Sequence, residues 1–160
     1  MNDPALESLQ NGFEYRFADW PNEAVPAAAA GVYTIWEGPL LVYVGMSGRG
    51  LTAEHIADHT ATGLRKGLHT RLASHASGRR SGDQFCVYVA DRLVMPKLTA
   101  DEVLSIAGNL VQFDGLVKRY ISDRLTYKFV TTSDGAEAFA IENKVRRGAL
   151  PAGRPLLNPA

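Results

Sequence analysis

Gly31-Val32-Tyr33-Thr34-Ile35-Trp36-Glu37-Gly38-Pro39-Leu40-Leu41-Val42-Tyr43-Val44-Gly45 decides the reading of this chain. Residues 31–37 and 40–45 are rich in β-branched and aromatic side chains, the residue types that fit a half-buried pleated surface. Gly38-Pro39 between them is turn chemistry, and so short a connection makes the pair an antiparallel hairpin. Each tyrosine sits beside a glycine-bounded strand end. Glycine permits close backbone approach there, and a phenolic oxygen can donate, accept or relay a proton. Ordinary strand aromatics would leave the same pattern.

Outward from the hairpin, Phe13, Tyr15 and Phe17 alternate with Glu14 and Arg16, which predicts a short edge strand, and the run PAAAAG at 26–31 reads as a linker. Residues 46–67 form a long polar insert without a strong period, with room for a short helix around 53–60. Leu68, Leu72 and His75 share one face of a helix closed by Gly78. Phe85, Val87 and Val89 alternate and predict a third strand. Thr99-Ala100-Asp101-Glu102 is a capping box opening a helix near 100–112. A further helix is expected at 114–125, a short strand at 127–130, and a helix from Asp134 to about Arg147, with Gly148 and Pro151 beyond it. The mixed order predicts α+β architecture: a small three-stranded antiparallel sheet flanked by helices.

The length of 160 residues fits one domain, and 46% hydrophobic residues suffice for a core. No apolar stretch approaches the roughly 20 residues of a membrane span, and the acidic, polar N-terminus is no secretory signal. The single cysteine, Cys86, allows neither an intrachain disulfide nor a cysteine-based zinc cluster. A cytoplasmic location is the default expectation. Seventeen Lys and Arg balance seventeen Asp and Glu, but not uniformly. Residues 1–30, an acidic N-terminal arm, carry five acids against one base, a net charge of −4. Residues 38–80 carry six bases against two acids, a net charge of +4, and all four histidines. A polyanion responds to the local field rather than to the sum.

Gly31-Val32-Tyr33 followed by Tyr43-Val44-Gly45 resembles the paired signature of the GIY-YIG nuclease superfamily, with valine for isoleucine in both halves. The resemblance continues in order through Ser47, Arg71 in Leu68-His69-Thr70-Arg71-Leu72, Glu142 in Ala140-Ile141-Glu142-Asn143-Lys144, and Asn158 in Leu156-Leu157-Asn158-Pro159. It spans residues 31–158, so a nuclease-like domain at 31–160 is expected. The insert at 46–67 and the Arg71–His75 pair, four residues apart, are closest in pattern to the restriction-endonuclease-like branch.

The resemblance implies a metal-dependent endonuclease acting on DNA. Phosphodiester hydrolysis needs an activated water, charge stabilisation at the phosphoryl oxygens and help for the leaving oxygen. Glu142, at the edge of a helix face made by Ala138, Ile141 and Val145, is the candidate ligand for Mg2+ or Mn2+. Arg71 would grip the phosphate with its planar fork. Tyr33 is the first candidate to activate water, Tyr43 the alternative base or a phosphate ligand, and His75 a proton acceptor through Tyr33 or directly. Asn158 would position a phosphate oxygen or a catalytic side chain. Gly45, Ser47, Arg49, Arg65, Lys66, Arg79 and Arg80 are candidate substrate contacts. His55 and His59, four apart, lack an HExxH pattern and fit nucleic-acid contact better than zinc. A non-catalytic nucleic-acid-binding module on the same scaffold is the alternative function, and a scaffold for protein contacts a third. A one-site domain cuts one strand at a time, so a double-strand break implies homodimerisation on DNA or successive nicks, and specificity would come from the insert, from 91–133 or from a protein partner.

Overall fold

The computed structural model describes residues 3–159. Chain order is α1 (Pro4–Asn11), β1 (Tyr15–Arg16), β2 (Ala28–Glu37), β3 (Leu40–Ser47), α2 (Ala53–Thr62), β4 (Lys66–Gly67), α3 (Leu68–Ser77), α4 (Gln84–Val89), α5 (Ala100–Ala107), α6 (Phe113–Arg124), β5 (Thr126–Thr132) and α7 (Gly135–Arg146). The architecture is α+β. The three long strands lie antiparallel in the order β5-β2-β3, and β1 extends β5 at one edge. Two-residue β4 pairs parallel with the start of β2, so the sheet has five strands rather than the three expected.

The expected hairpin is present, with Tyr33 opposite Gly45 and Ile35 opposite Tyr43. A bulge between Ile35 and Trp36 sets Trp36 against Leu41. Alternation along β2 then divides the core. Tyr33 and Ile35 face one cluster with Leu68 and Leu72 of α3, Phe85 and Val89 of α4, and Val117 and Ile121 of α6. Val32 and Trp36 face the other, with Leu6 and Leu9 of α1 and Ala138, Ile141 and Val145 of α7. Burying each such aliphatic or aromatic side chain contributes about 1.5–3 kcal/mol.

Three sequence expectations fail for identifiable reasons. The segment at 85–89 is helical, not a strand: Phe85, Cys86, Val89, Ala90, Leu93 and Val94 are buried at helical spacing through a π-turn at Ala90–Val94. The alternation of Phe85, Val87 and Val89 was too short a window to show that period. The run at 26–31 is no linker, because Ala28 to Gly31 begin β2 and small side chains let neighbouring segments lie close. The helix at Ala100 starts at the expected capping box but stops at Ala107, where Gly108 and positive-φ Asn109 end it. The helices expected at 68–78, 114–125 and 134–147 form within a residue or two of those limits.

The acidic first segment is built into the domain. Asp3 caps α1 and its carboxylate pairs with Lys144 at 3.1 Å, while Thr34 Oγ1 donates to the Leu9 carbonyl. The edge strand at Tyr15–Arg16 exists, paired with Tyr127 and Thr126. No described helix is long and apolar enough to cross a membrane.

Candidate functional site

A cleft of about 370 Å³ is lined by β3, the loop after it, α3, the start of α4, and α7. Its lining includes Tyr33, Tyr43, Gly45, Ser47, Arg49, Arg71, His75 and Glu142, residues gathered from positions more than 100 apart in sequence. Each wall has a local cause. The ladder, with Tyr33 opposite Gly45 and Ile35 opposite Tyr43, puts both tyrosines on one face of the sheet, their ring centroids 6.5 Å apart. Gly31 lets α3 lie on β2, since a Cβ there would meet the Leu68 side chain and the Val130 carbonyl. With Leu68 and Leu72 anchored in the core, Arg71 is left exposed and His75, one turn on, points inward. Glu142 is half-buried beside the inward face of α7, the edge position expected from sequence.

The deepest part of the cleft is a hydrogen-bonded pair. Tyr33 is 1% exposed and His75 2%, and the phenolic oxygen lies 2.7 Å from Nε2. Burial pushes the Tyr33 hydroxyl well above its ordinary range and neighbouring Tyr43 adds to this, with Arg71 opposing. Tyr33 is therefore a neutral phenol at physiological pH, not a phenolate. Tyr43, half-buried, is pushed up to about 12 by burial and then by the Glu142 charge. Burial also lowers His75, against the raising effect of its carboxylate neighbour Asp83, and so keeps the imidazole neutral near pH 7.

The charged rim makes few internal contacts, Arg146 donating to the Pro159 carbonyl at 3.3 Å. Among the described residues, Arg49, Arg71, Arg146 and Glu142 form no ion pair. Arg49 instead lies over the Phe139 ring, 4.5 Å from its centroid. Burial raises the Glu142 carboxyl above its usual value, with Arg146 and Arg49 pulling it down. A half-buried carboxylate without a salt-bridge partner has reason to take a cation. No group of three or more His, Cys, Asp or Glu side chains is arranged to hold a metal among the described residues. A single carboxylate still fits magnesium or manganese, which retain waters and complete their shell with substrate phosphate.

The other candidates divide. A second hollow, adjoining the first through Ser47, Arg49 and Arg71, is lined by His55, His59, Lys66 and Thr70. His55 also closes a capping box with Thr52 at the start of α2. Arg65 and Arg79 are exposed and line neither hollow. Arg80 lies 2.6 Å from Asp114 and over the Phe113 ring, and it lines neither hollow. Asn158 does not line the cleft. Its amide accepts from the Val44 N–H and donates to the Val44 carbonyl, both at 2.9 Å, which leaves it to steady Tyr43 and Gly45 rather than to touch phosphate. His69 is buried against Trp20, the two rings tilted with centroids 5.1 Å apart.

Asp83 is the residue that sequence reasoning missed. It caps α4, lines the cleft and bonds to His75. Its signal was present as an N-cap residue ahead of the run 85–94, and reading that run as a strand concealed it.

No protein-family model, curated protein or solved structure matches the chain.

Proposed function

We propose that this chain is a metal-dependent endonuclease that hydrolyses DNA phosphodiester bonds on a GIY-YIG-like scaffold. The observation that carries the reading is the convergence of Tyr33, Tyr43, Arg71, His75 and Glu142 on one cleft, with Tyr33 and His75 hydrogen-bonded at its base. An ordered motif accounts for these residue types in sequence. It does not by itself account for two tyrosines, an unpaired arginine and an unpaired carboxylate sharing a cleft.

Each side chain has a role that its surroundings allow. Arg71, without a carboxylate partner among the described residues, binds the scissile phosphate through two parallel N–H donors and offsets charge that builds on its oxygens. The Tyr43 hydroxyl, with no hydrogen bond to a described residue, orients a phosphoryl oxygen or the attacking water. Tyr33 takes a proton from the water while passing its own to His75, which is why a phenol held neutral by burial still serves. Glu142 would hold Mg2+ or Mn2+, which when bound supplies positive charge at the phosphoryl and leaving oxygens. Lys66, His55 and His59 in the adjoining hollow suit the neighbouring phosphates of the strand. The buried thiol of Cys86 accords with a cytoplasmic location.

The test is cleavage of supercoiled, linear and branched DNA by the purified protein with Mg2+ or Mn2+, with Glu142→Ala as control. Metal-dependent nicking or cutting that disappears in the folded variant is expected. Undiminished cutting by Glu142→Ala removes that residue from the chemistry. Salt-dependent binding without cutting by the wild type assigns a binding module instead.

A further inference from the structure

Beyond Tyr33 and His75, the buried polar chain continues to a third side chain. Asp83 is 1% exposed. Its Oδ2 lies 2.6 Å from His75 Nδ1 and accepts from Ser74 Oγ at 2.8 Å, while Oδ1 accepts from the Cys86 N–H at 3.2 Å. No described buried side-chain polar atom lacks a partner, so every member of this network is satisfied.

The geometry points to Asp83 as a positioning residue that fixes His75 as the Nδ1–H tautomer and so leaves Nε2 bare to receive the Tyr33 proton. This rests on the nuclease reading of the cleft. An ionised carboxylate only accepts hydrogen bonds, so with Asp83 ionised Nδ1 must donate to it. A neutral imidazole then has one unprotonated nitrogen, Nε2, and the Tyr33 hydroxyl must be the donor across the 2.7 Å contact. The tautomer is assigned from this network. Ser74 Oγ and the Cys86 N–H hold the carboxylate at two further points, so the imidazole plane is fixed from behind.

The proton account closes. As water oxygen bonds to phosphorus, its proton goes to the Tyr33 oxygen while the Tyr33 proton goes to His75 Nε2. The bond from phosphorus to the leaving sugar oxygen breaks, its electron pair stays on that oxygen, and a solvent proton neutralises it. Tyr33 is again a phenol, and His75 is an imidazolium beside a carboxylate that stays ionised until solvent takes the extra proton. Asp83 acts on this transfer through His75, to which it is hydrogen-bonded at 2.6 Å.

A helix cap alone needs one Asp83 oxygen, and asparagine caps as well as aspartate. Asp83→Asn separates the two roles. Its Oδ1 still caps α4, but its amide NH2 faces His75 Nδ1, which must then accept, moving the imidazole proton to Nε2 and aiming it at Tyr33. Two measurements test this. In ¹⁵N–¹H correlation spectra at neutral pH, with the His75 signals assigned by His75→Gln, wild-type His75 is expected to carry its proton on Nδ1 and the Asp83→Asn protein on Nε2. In cleavage assays the folded variant is expected to lose about 10²-fold or more in kcat with little change in KM. A wild-type proton on Nε2 overturns the inference, as does a folded variant cutting within about threefold of wild type. Should Asp83→Asn fail to fold, the wild-type spectrum alone decides. The spectrum needs no catalysis, so an Nδ1–H tautomer in a protein that cuts no DNA sinks the nuclease reading while leaving Asp83's control of His75 in place.

Discussion

Gly45 stands directly opposite Tyr33 across the hairpin, and a Cβ on Gly45 would collide with the Tyr33 phenolic oxygen. The glycine that ends the second half of the motif is thus the space in which the tyrosine of the first half keeps its hydroxyl against His75. We expect Gly45→Ala to push the ring off this contact. The overpacking should cost about 1–3 kcal/mol of stability and, separately, most of the cleavage activity. Urea unfolding and a nicking assay on the same preparation check both. Full activity in Gly45→Ala would mean that the Tyr33–His75 contact is dispensable.

Glu142→Gln should separate chemistry from stability. Because burial raises the Glu142 carboxyl, its ionised form is less favourable in the folded protein than in the unfolded chain. The stabilising contribution of the protonated group is lost as pH rises through the folded-state pKa. The neutral variant should therefore melt at a higher temperature than wild type near pH 7 while losing metal-dependent cleavage. Calorimetry without metal reads the first effect, and a lower melting temperature would contradict it.

Arg71→Lys keeps the charge but loses the planar fork. Cleavage should fall by about 10²-fold or more, whereas the salt dependence of DNA binding stays near wild type. Arg71→Ala should also reduce the slope of log K against log salt by about one. Titrations at several salt concentrations distinguish the pair, and equal cleavage by Lys and Arg would reduce Arg71 to a point charge.

Acid should destabilise the fold in two stages. His75 faces Asp83, Tyr33, Tyr43 and Arg71, and burial, opposed by Asp83, sets its folded pKa below the ordinary 6.5. The unfolded chain then binds the proton more readily, so stability falls as pH drops below about 6.5 and levels out below the folded value. Burial pushes Asp83 upward, but hydrogen bonds from His75, Ser74 and the Cys86 N–H hold it below its ordinary 3.8. The stability it contributes is lost as pH falls below that value. Urea midpoints from pH 8 to pH 3 should show both declines, with a slope of about 1.4 kcal/mol per pH unit for each proton taken up. His75→Gln should lack the part of the first decline due to His75, leaving what His69, lowered by burial, supplies. Retention of the whole first decline in that variant would assign it to other groups.

The fold was legible where periodicity and punctuation agreed. Tyr33 and Tyr43 flank a two-residue turn, Leu68 to His75 keep one helical face, and Ala138, Ile141 and Val145 leave Glu142 at the edge of theirs. It was illegible where a short window admits two periods. Phe85, Val87 and Val89 alternate like a strand, and only Ala90, Leu93 and Val94 reveal the helix. Helix α1 was missed although Asp3-Pro4 is a strong start, because its two buried residues, Leu6 and Leu9, make a faint stripe. In the site, Arg71 and Glu142 were reached through the motif resemblance and His75 through its spacing of four residues from Arg71. Asp83 was not, because no local pattern tells which distant side chain a buried carboxylate will meet. Asp114, 2.6 Å from Arg80 across 34 positions, is another partner that no local pattern names.

The C-terminal segment beside β3 has a consequence for how the protein behaves in concentrated solution. Leu156 and Leu157 donate backbone hydrogen bonds to the Leu41 and Val42 carbonyls, and the Asn158 amide closes both backbone groups of Val44. Three residues thereby occupy the outer rim of a strand that would otherwise offer a row of free donors and acceptors to another chain. The covering of this edge and the geometry of the cleft depend on the same short clasp. Where it loosens, Tyr43 and Gly45 lose their support as the bared rim becomes adhesive, so self-association and loss of the site should arrive together.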